Sequence, residues 1–185
     1  DNTDKDYLDT PVLMHVKARL PWLLVLMVSY VFTGGMIASF EKSLSAVIAL
    51  VAYMPMLMGT GGNSGTQSST VIITGMATGD LELSDVLRVL WKEFRIGIIV
   101  GICVSILNYM RIVAFDHNGS LVALTVCLSM VLIVIIAKCI GALLPMIAKK
   151  IGIDPALIAG PMMASLTDMV ALGTYFTMAR LVLKI

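Results

Sequence analysis

The chain has 185 residues, 58% of them apolar and 14% charged, and its 13 basic and 12 acidic side chains leave a formal net charge of +1. Its mean hydropathy of +0.95 lies outside the soluble range, where roughly 45 to 50% apolar and about 25% charged residues are usual. A soluble domain, a disordered chain, a disulfide framework and a nucleic-acid binder do not fit these numbers; an all-α, polytopic membrane protein does.

The first nine residues carry Asp1, Asp4, Lys5, Asp6 and Asp9 with no initiating Met, the pattern of a piece cut from a longer protein. Pro21 to Phe40 holds no charge, and such a run at 1.5 Å per residue covers the ~30 Å hydrocarbon layer, so residues 21–40 are span one. Span two, about 47–74, contains the polar, glycine-rich run from Gly59 to Thr70. Lipid would not tolerate that run, which must face protein or water.

From Leu81 to Phe94 acids and bases alternate, with Leu83, Val86, Leu87, Leu90 and Phe94 at helical spacing and Ser84 as a candidate N-cap. This pattern predicts an amphipathic surface helix over about 84–94. Span three, about 95–111, is an uncharged run whose ends Arg95 and Arg111 reach the interfaces by snorkelling. Span four, about 118–148, encloses Lys138, and span five, about 155–180, encloses Asp168.

Five spans put the termini on opposite sides. With the N-terminus inside, the inner segments hold eight Lys and Arg residues and the outer segments four. The positive-inside bias therefore places the N-terminus in the cytoplasm and the C-terminus outside the plasma (inner) membrane. Cys103, Cys127 and Cys139 lie in apolar runs without C-x-x-C spacing, and neither His15 nor His117 has a second ligand-type residue three or four positions away. Neither a zinc site nor a redox pair is suggested.

Asp168 demands an explanation, because a carboxylate near the midplane costs at least ~2.5 kcal/mol on insertion scales. It is 14 residues after Asp154, about 21 Å along a continuous helix. Two readings stand at this point: an ion pair with Lys138, at similar depth in span four, or an ion or proton path. The second anomaly is the polar run itself. Its glycines fit close helix packing, but Asn63, Thr66, Gln67, Ser68, Ser69 and Thr70 offer neutral oxygen and amide groups of the kind that hold the water shell of a hard cation. Pro55 and Pro161 can free backbone carbonyls nearby. Met54, Met56, Met58, Met162 and Met163 read as packing, since no Cys or His joins them to build a soft-metal path.

Taken together, Pro21-Trp22-Leu23-Leu24, Pro55 to Ser68 with its Gly61-Gly62-Asn63-Ser64-Gly65-Thr66-Gln67 core, Ala77-Thr78-Gly79-Asp80, Asp154-Pro155-Ala156, Gly160-Pro161 and Asp168 resemble the transmembrane domain of the MgtE magnesium channels. The resemblance runs from about residue 20 to the end. It implies a five-helix subunit that forms a homodimer, with spans two and five of both copies lining one pore on the two-fold axis. By that resemblance Asp168 holds Mg2+ through its water shell, beside the backbone carbonyl of Ala164. Asp154 would stand at the cytoplasmic mouth and Asn63 would also meet the metal. Gly61, Gly62, Thr66, Gln67, Pro161, Ser165 and Thr167 would line the pore.

Residues 1–20 would be the end of a connecting (plug) helix that leads to cytoplasmic regulatory domains absent from this sequence. Manganese and cobalt, of similar hydrated size, are the expected substitutes for magnesium. Two Asp168 carboxylates ~8 Å apart would repel by about 2 kcal/mol at an effective dielectric of 20, so protons are expected to compete with the cation.

Other classes compete. A proton- or cation-coupled secondary transporter would use Asp168 as the coupling carboxylate, although no second intramembrane acid or histidine and no inverted repeat stands out. An enzyme is not expected, because Ser64, Ser68 and Ser69 have no histidine within the membrane to act as base.

Overall fold

The computed structural model describes residues 10–40, 48–116, 119–158 and 160–184. Among them all regular structure is helical. The described residues hold five long helices: α1 (Val12–Ser39), α2 (Ala49–Thr78), α3 (Val86–Arg111), α4 (Ser120–Lys150) and α5 (Pro161–Leu183). Single turns at Leu83–Asp85, Ile112–Asp116 and Pro155–Ile158 connect them. α1, α3, α4 and α5 are each long and apolar enough to cross a membrane. α2, with 30 residues, is about 45 Å long and ample in length; its polar middle sets it apart.

α4 is the hub, since α2, α3 and α5 all pack on it, while α1 leans mainly on α5. Small residues set these approaches. Gly141 of α4 lies against the backbone of Gly65 in α2. A side chain on Gly97 or Gly101 of α3 would meet the Cα of Ile135 at 2.9 Å or of Val131 at 3.1 Å. Without a water-driven force between helices in lipid, such close backbone contact is the main source of packing energy. Around the contacts Leu50, Tyr53, Leu57, Met130, Ile133, Val134, Leu172, Tyr175 and Phe176 form the core. Hydrogen bonds tie it further, Tyr175 Oη donating to the Leu50 carbonyl at 2.9 Å and Ser105 Oγ to the Cys127 carbonyl at 2.9 Å.

Four expectations change. The predicted surface helix and span three are one uninterrupted helix, α3. Its buried residues, Val89, Glu93, Gly97, Gly101, Ser105 and Asn108, form one stripe that crosses the predicted boundary, so the face packed on α4 starts well before Arg95. The chain enters α3 through a capping box of Glu82 and Asp85 rather than an N-cap at Ser84, and Ser84 Oγ instead reaches Glu82.

The boundary expected at residue 20 falls inside α1, which runs on through Pro21. Finally, span five is broken: the turn Pro155–Ile158 ends before α5 begins at Pro161. Pro161 occupies the first helical turn, where its missing N–H is harmless, and it disfavours helical geometry in the residue before it. Asp168 therefore lies only seven residues, about 10 Å, into α5.

Candidate functional site

α2 has two chemically distinct faces. Tyr53, Met54, Leu57, Gly61, Gly65, Ser68, Ser69, Ile72 and Met76 are buried in the bundle. Gly59, Asn63, Thr66, Gln67, Thr70 and Thr74 are exposed on the other side. Along this open face the threonines form a ladder: Thr70 Oγ1 donates to the Thr66 carbonyl at 2.9 Å, Thr74 Oγ1 to the Thr70 carbonyl at 2.9 Å and Thr78 Oγ1 to the Thr74 carbonyl at 3.2 Å. The hydroxyl protons of Thr70 and Thr74 are thus committed to the helix and their oxygen lone pairs are left to accept from outside, whereas Thr78 Oγ1 lies closest to the Asp80 carboxylate, at 2.6 Å. Sequence reading had singled out Thr66 and the polar run but missed the ladder; the four-residue spacing of Thr66, Thr70, Thr74 and Thr78 was its signal.

α5 packs on α2 at the glycines. A side chain on Gly65 would meet Thr167 Cγ2 at 3.1 Å and one on Gly62 would meet Thr167 Oγ1 at 3.7 Å. Thr167 is buried, and its hydroxyl is shared between the carbonyls of Met163 at 2.8 Å and Ala164 at 3.0 Å. Gly61, Ser165 and Thr167 are therefore interior residues of this chain, whereas Gly62, Ala164 and Asp168 are half-buried and Asn63, Thr66 and Gln67 exposed. Asp168 has neither an ion pair nor a hydrogen bond among the described residues. Asp154 is exposed and accepts the backbone N–H of Ala156 at 2.9 Å, which anchors the turn that follows. Pro161 begins α5. No three His, Cys, Asp or Glu side chains cluster among the described residues.

Lys138 does not pair with Asp168. It turns the other way, toward α2 and α3, where Nζ lies 3.1 Å from Gln67 Oε1, 3.3 Å from Ser68 Oγ and 4.0 Å from Glu93 Oε2. Ser68 Oγ completes the cluster with a 2.6 Å hydrogen bond to Glu93 Oε2. Glu93 is thus a buried acid, which the expected surface helix had placed outside the core; its four-residue spacing from Val89 and Gly97 was the clue. At the other end of α2, Tyr53 Oη donates to Asp116 Oδ2 at 2.9 Å and Arg111 pairs with the same carboxylate at 3.3 Å. His117 lies outside the described residues.

Residues 54–178 match the MgtE family, described as a divalent cation transporter. The chain belongs to that family. Among curated relatives, a protein named magnesium transporter MgtE from Thermus thermophilus is 41% identical over 167 residues, covering 90% of this chain and 37% of the relative. Proteins of the same name from Bacillus subtilis and Enterococcus faecalis are 34% and 29% identical, covering 92% and 90% of this chain and 38% and 36% of their own lengths. This MgtE chain therefore spans little more than a third of the relatives it matches, and the family match takes in α3, α4 and most of α2 and α5. It is a multi-pass membrane protein by its family and its apolar helices.

Proposed function

We propose that this chain is the pore-forming part of a magnesium transporter, and that it works as a channel for hydrated Mg2+ assembled from two copies. The observation that carries the reading is the open face of α2. A row of outward acceptors, Asn63, Thr66, Thr70 and Thr74, runs along a helix embedded in an apolar bundle, with the unpaired Asp168 carboxylate on the adjoining helix. Lipid cannot satisfy such a face, so it borders water or a second copy. The names of the relatives support magnesium as the cargo.

Magnesium suits these groups. It releases its waters reluctantly and is held by one or two carboxylates plus water; a dimer brings one Asp168 from each copy to the axis. The Ala164 carbonyl, already drawn to the Thr167 hydroxyl, would meet the hydrated ion from the same helix. Asn63, Gly62, Thr66 and Gln67 would line the wall, and Asp154 would draw cations to the mouth. Gly61, Ser165 and Thr167 support the wall from behind, which narrows the set expected from the sequence. Manganese and cobalt would follow the same route. The N-terminus would face the cytoplasm, where the longer relatives have room for regulatory domains.

A coupled transporter would instead move a proton on Asp168. Glu93 supplies a second acid within the helices, which such a relay needs, but its carboxylate is held by Ser68 and Lys138.

The test is magnesium influx into proteoliposomes with no proton gradient, comparing the native chain with Asp168→Asn and Asp168→Ala. Influx and current in the native chain, lost in both variants while folding and dimerisation persist, are expected. Flux that survives both substitutions would refute the site, and flux that demands a proton gradient would favour coupled transport.

A further inference from the structure

Lys138 is 3% exposed and Glu93 7% exposed, and their pairing at 4.0 Å buries two charges among α2, α3 and α4. Buried ion pairs contribute little net stability compared with well-packed apolar residues of similar size. The pair therefore has to be explained by what else it holds.

The third contact supplies the explanation. An ammonium group only donates hydrogen bonds, so the group that Lys138 meets at 3.1 Å on Gln67 is the amide oxygen, Oε1. Gln67 is exposed at the edge of the open face of α2 and also lines a cavity of about 420 Å3 with Ser68, Lys138 and Glu93. With its oxygen fixed on the inner side, Gln67 has only its NH2 group left to present outward. The next turn in either direction carries the exposed Asn63 amide, whose oxygen can accept, and the Thr70 hydroxyl oxygen, whose proton is committed to the Thr66 carbonyl. Waters bound to a cation direct their hydrogens outward, so acceptors in the wall retain a hydrated ion and donors do not.

We propose that the Lys138–Glu93 pair is a positioning device for the ion path: it locks Gln67 with its N–H groups on the conducting face, creating a layer of weak binding between layers of acceptors. This rests on the reading of α2 as the wall of the path. Its functional sense is that conduction requires an ion to be released as readily as it is taken up. Glu93 balances the Lys138 charge, which would otherwise repel a divalent cation one layer behind the wall. Lys92, exposed at the rim of the same cavity, is the other cation there.

The test uses the charge-neutral double variant Lys138→Met/Glu93→Gln, Gln67→Ala, and the triple combination, with magnesium influx into proteoliposomes measured against magnesium concentration. Freeing the Gln67 oxygen should lower the apparent KM by about two- to tenfold, the range of one added hydrogen bond, and slow maximal flux. In the Gln67→Ala background the neutral pair should produce no further shift. Unchanged KM in the double variant, or a shift that persists without Gln67, overturns the proposal.

If the neutral pair fails to assemble, Gln67→Glu asks the same question with the pair intact, because it puts an oxygen where the NH2 stood. KM should fall there too, and an unchanged value overturns the proposal. Asp168→Asn run in parallel separates the two ideas: flux lost with Asp168 but KM indifferent to Gln67 and Lys138 leaves the path standing and removes the positioning role.

Discussion

Two acids in the apolar helices of this molecule, Glu93 buried and Asp168 half-buried, are treated in opposite ways. Glu93 sits among three helices with Ser68 at 2.6 Å and Lys138 at 4.0 Å. Asp168, on α5, has no partner of either kind among the described residues. Removing a carboxylate from water is expensive in either place. The fold compensates the first within the chain and gives the second no such compensation among the described residues. That asymmetry is what the proposed ion site rests on, although both are acids in apolar helices.

The comparison can be broken by experiment. Asp168→Asn should abolish magnesium influx, by at least about ten-fold given the attraction of one charge for a divalent ion at an effective dielectric of 20, and should leave thermal unfolding of the detergent-solubilised chain unchanged. A marked loss of stability there would mean that Asp168 is as structural as Glu93. Glu93→Ala should behave in the reverse sense. It strands Lys138 without its counter-charge, and loss of roughly 3 to 5 kcal/mol of stability is expected, measurable as a lower unfolding temperature or a loss of folded protein.

A smaller effect sharpens the contrast between the two faces of α2. Gly141→Ala would drive a methyl group into the backbone of Gly65, and overpacking of this kind costs about 1 to 3 kcal/mol. Gly59→Ala, on the open face with nothing within 4 Å, should be neutral in the same unfolding assay. Smallest of all, Thr70→Val keeps the shape of the wall but removes one acceptor. Influx at sub-saturating magnesium should fall by about two- to tenfold, the worth of one hydrogen bond, with no change in stability. Equal flux in Thr70→Val and the native chain would move the ion path off this part of α2.

Much of this was legible in the residues. Uncharged runs of membrane-spanning length marked the helices, because the thickness of the hydrocarbon layer is a property of lipid and not of the fold. The run from Gly59 to Thr70 and the lone Asp168 declared themselves by being out of place in an apolar chain. Other features were misjudged for identifiable reasons. The alternating charges of 81–94 gave α3 a surface-like pattern, yet Glu93 belongs to its buried stripe; amphipathic spacing marks a face without saying what covers it. Thr167 and Ser165, which the resemblance placed with Asp168 along the pore, are buried inside this chain, because successive residues on a helix point about 100° apart.

By itself, then, the sequence determined that the chain is helical, membrane-embedded and equipped with one polar helix and one exceptional acid, since these follow from local composition and the helical repeat. Tertiary structure alone decided which charge meets which. Lys138 was free by depth to reach Asp168, and it reaches Glu93, Ser68 and Gln67 because α2 and α3 pack on the same hub helix and the contact of Gly141 with Gly65 brings α2 close. Partners some 25 to 71 positions apart along the chain are chosen by the angle and distance at which helices pack, which no local pattern encodes.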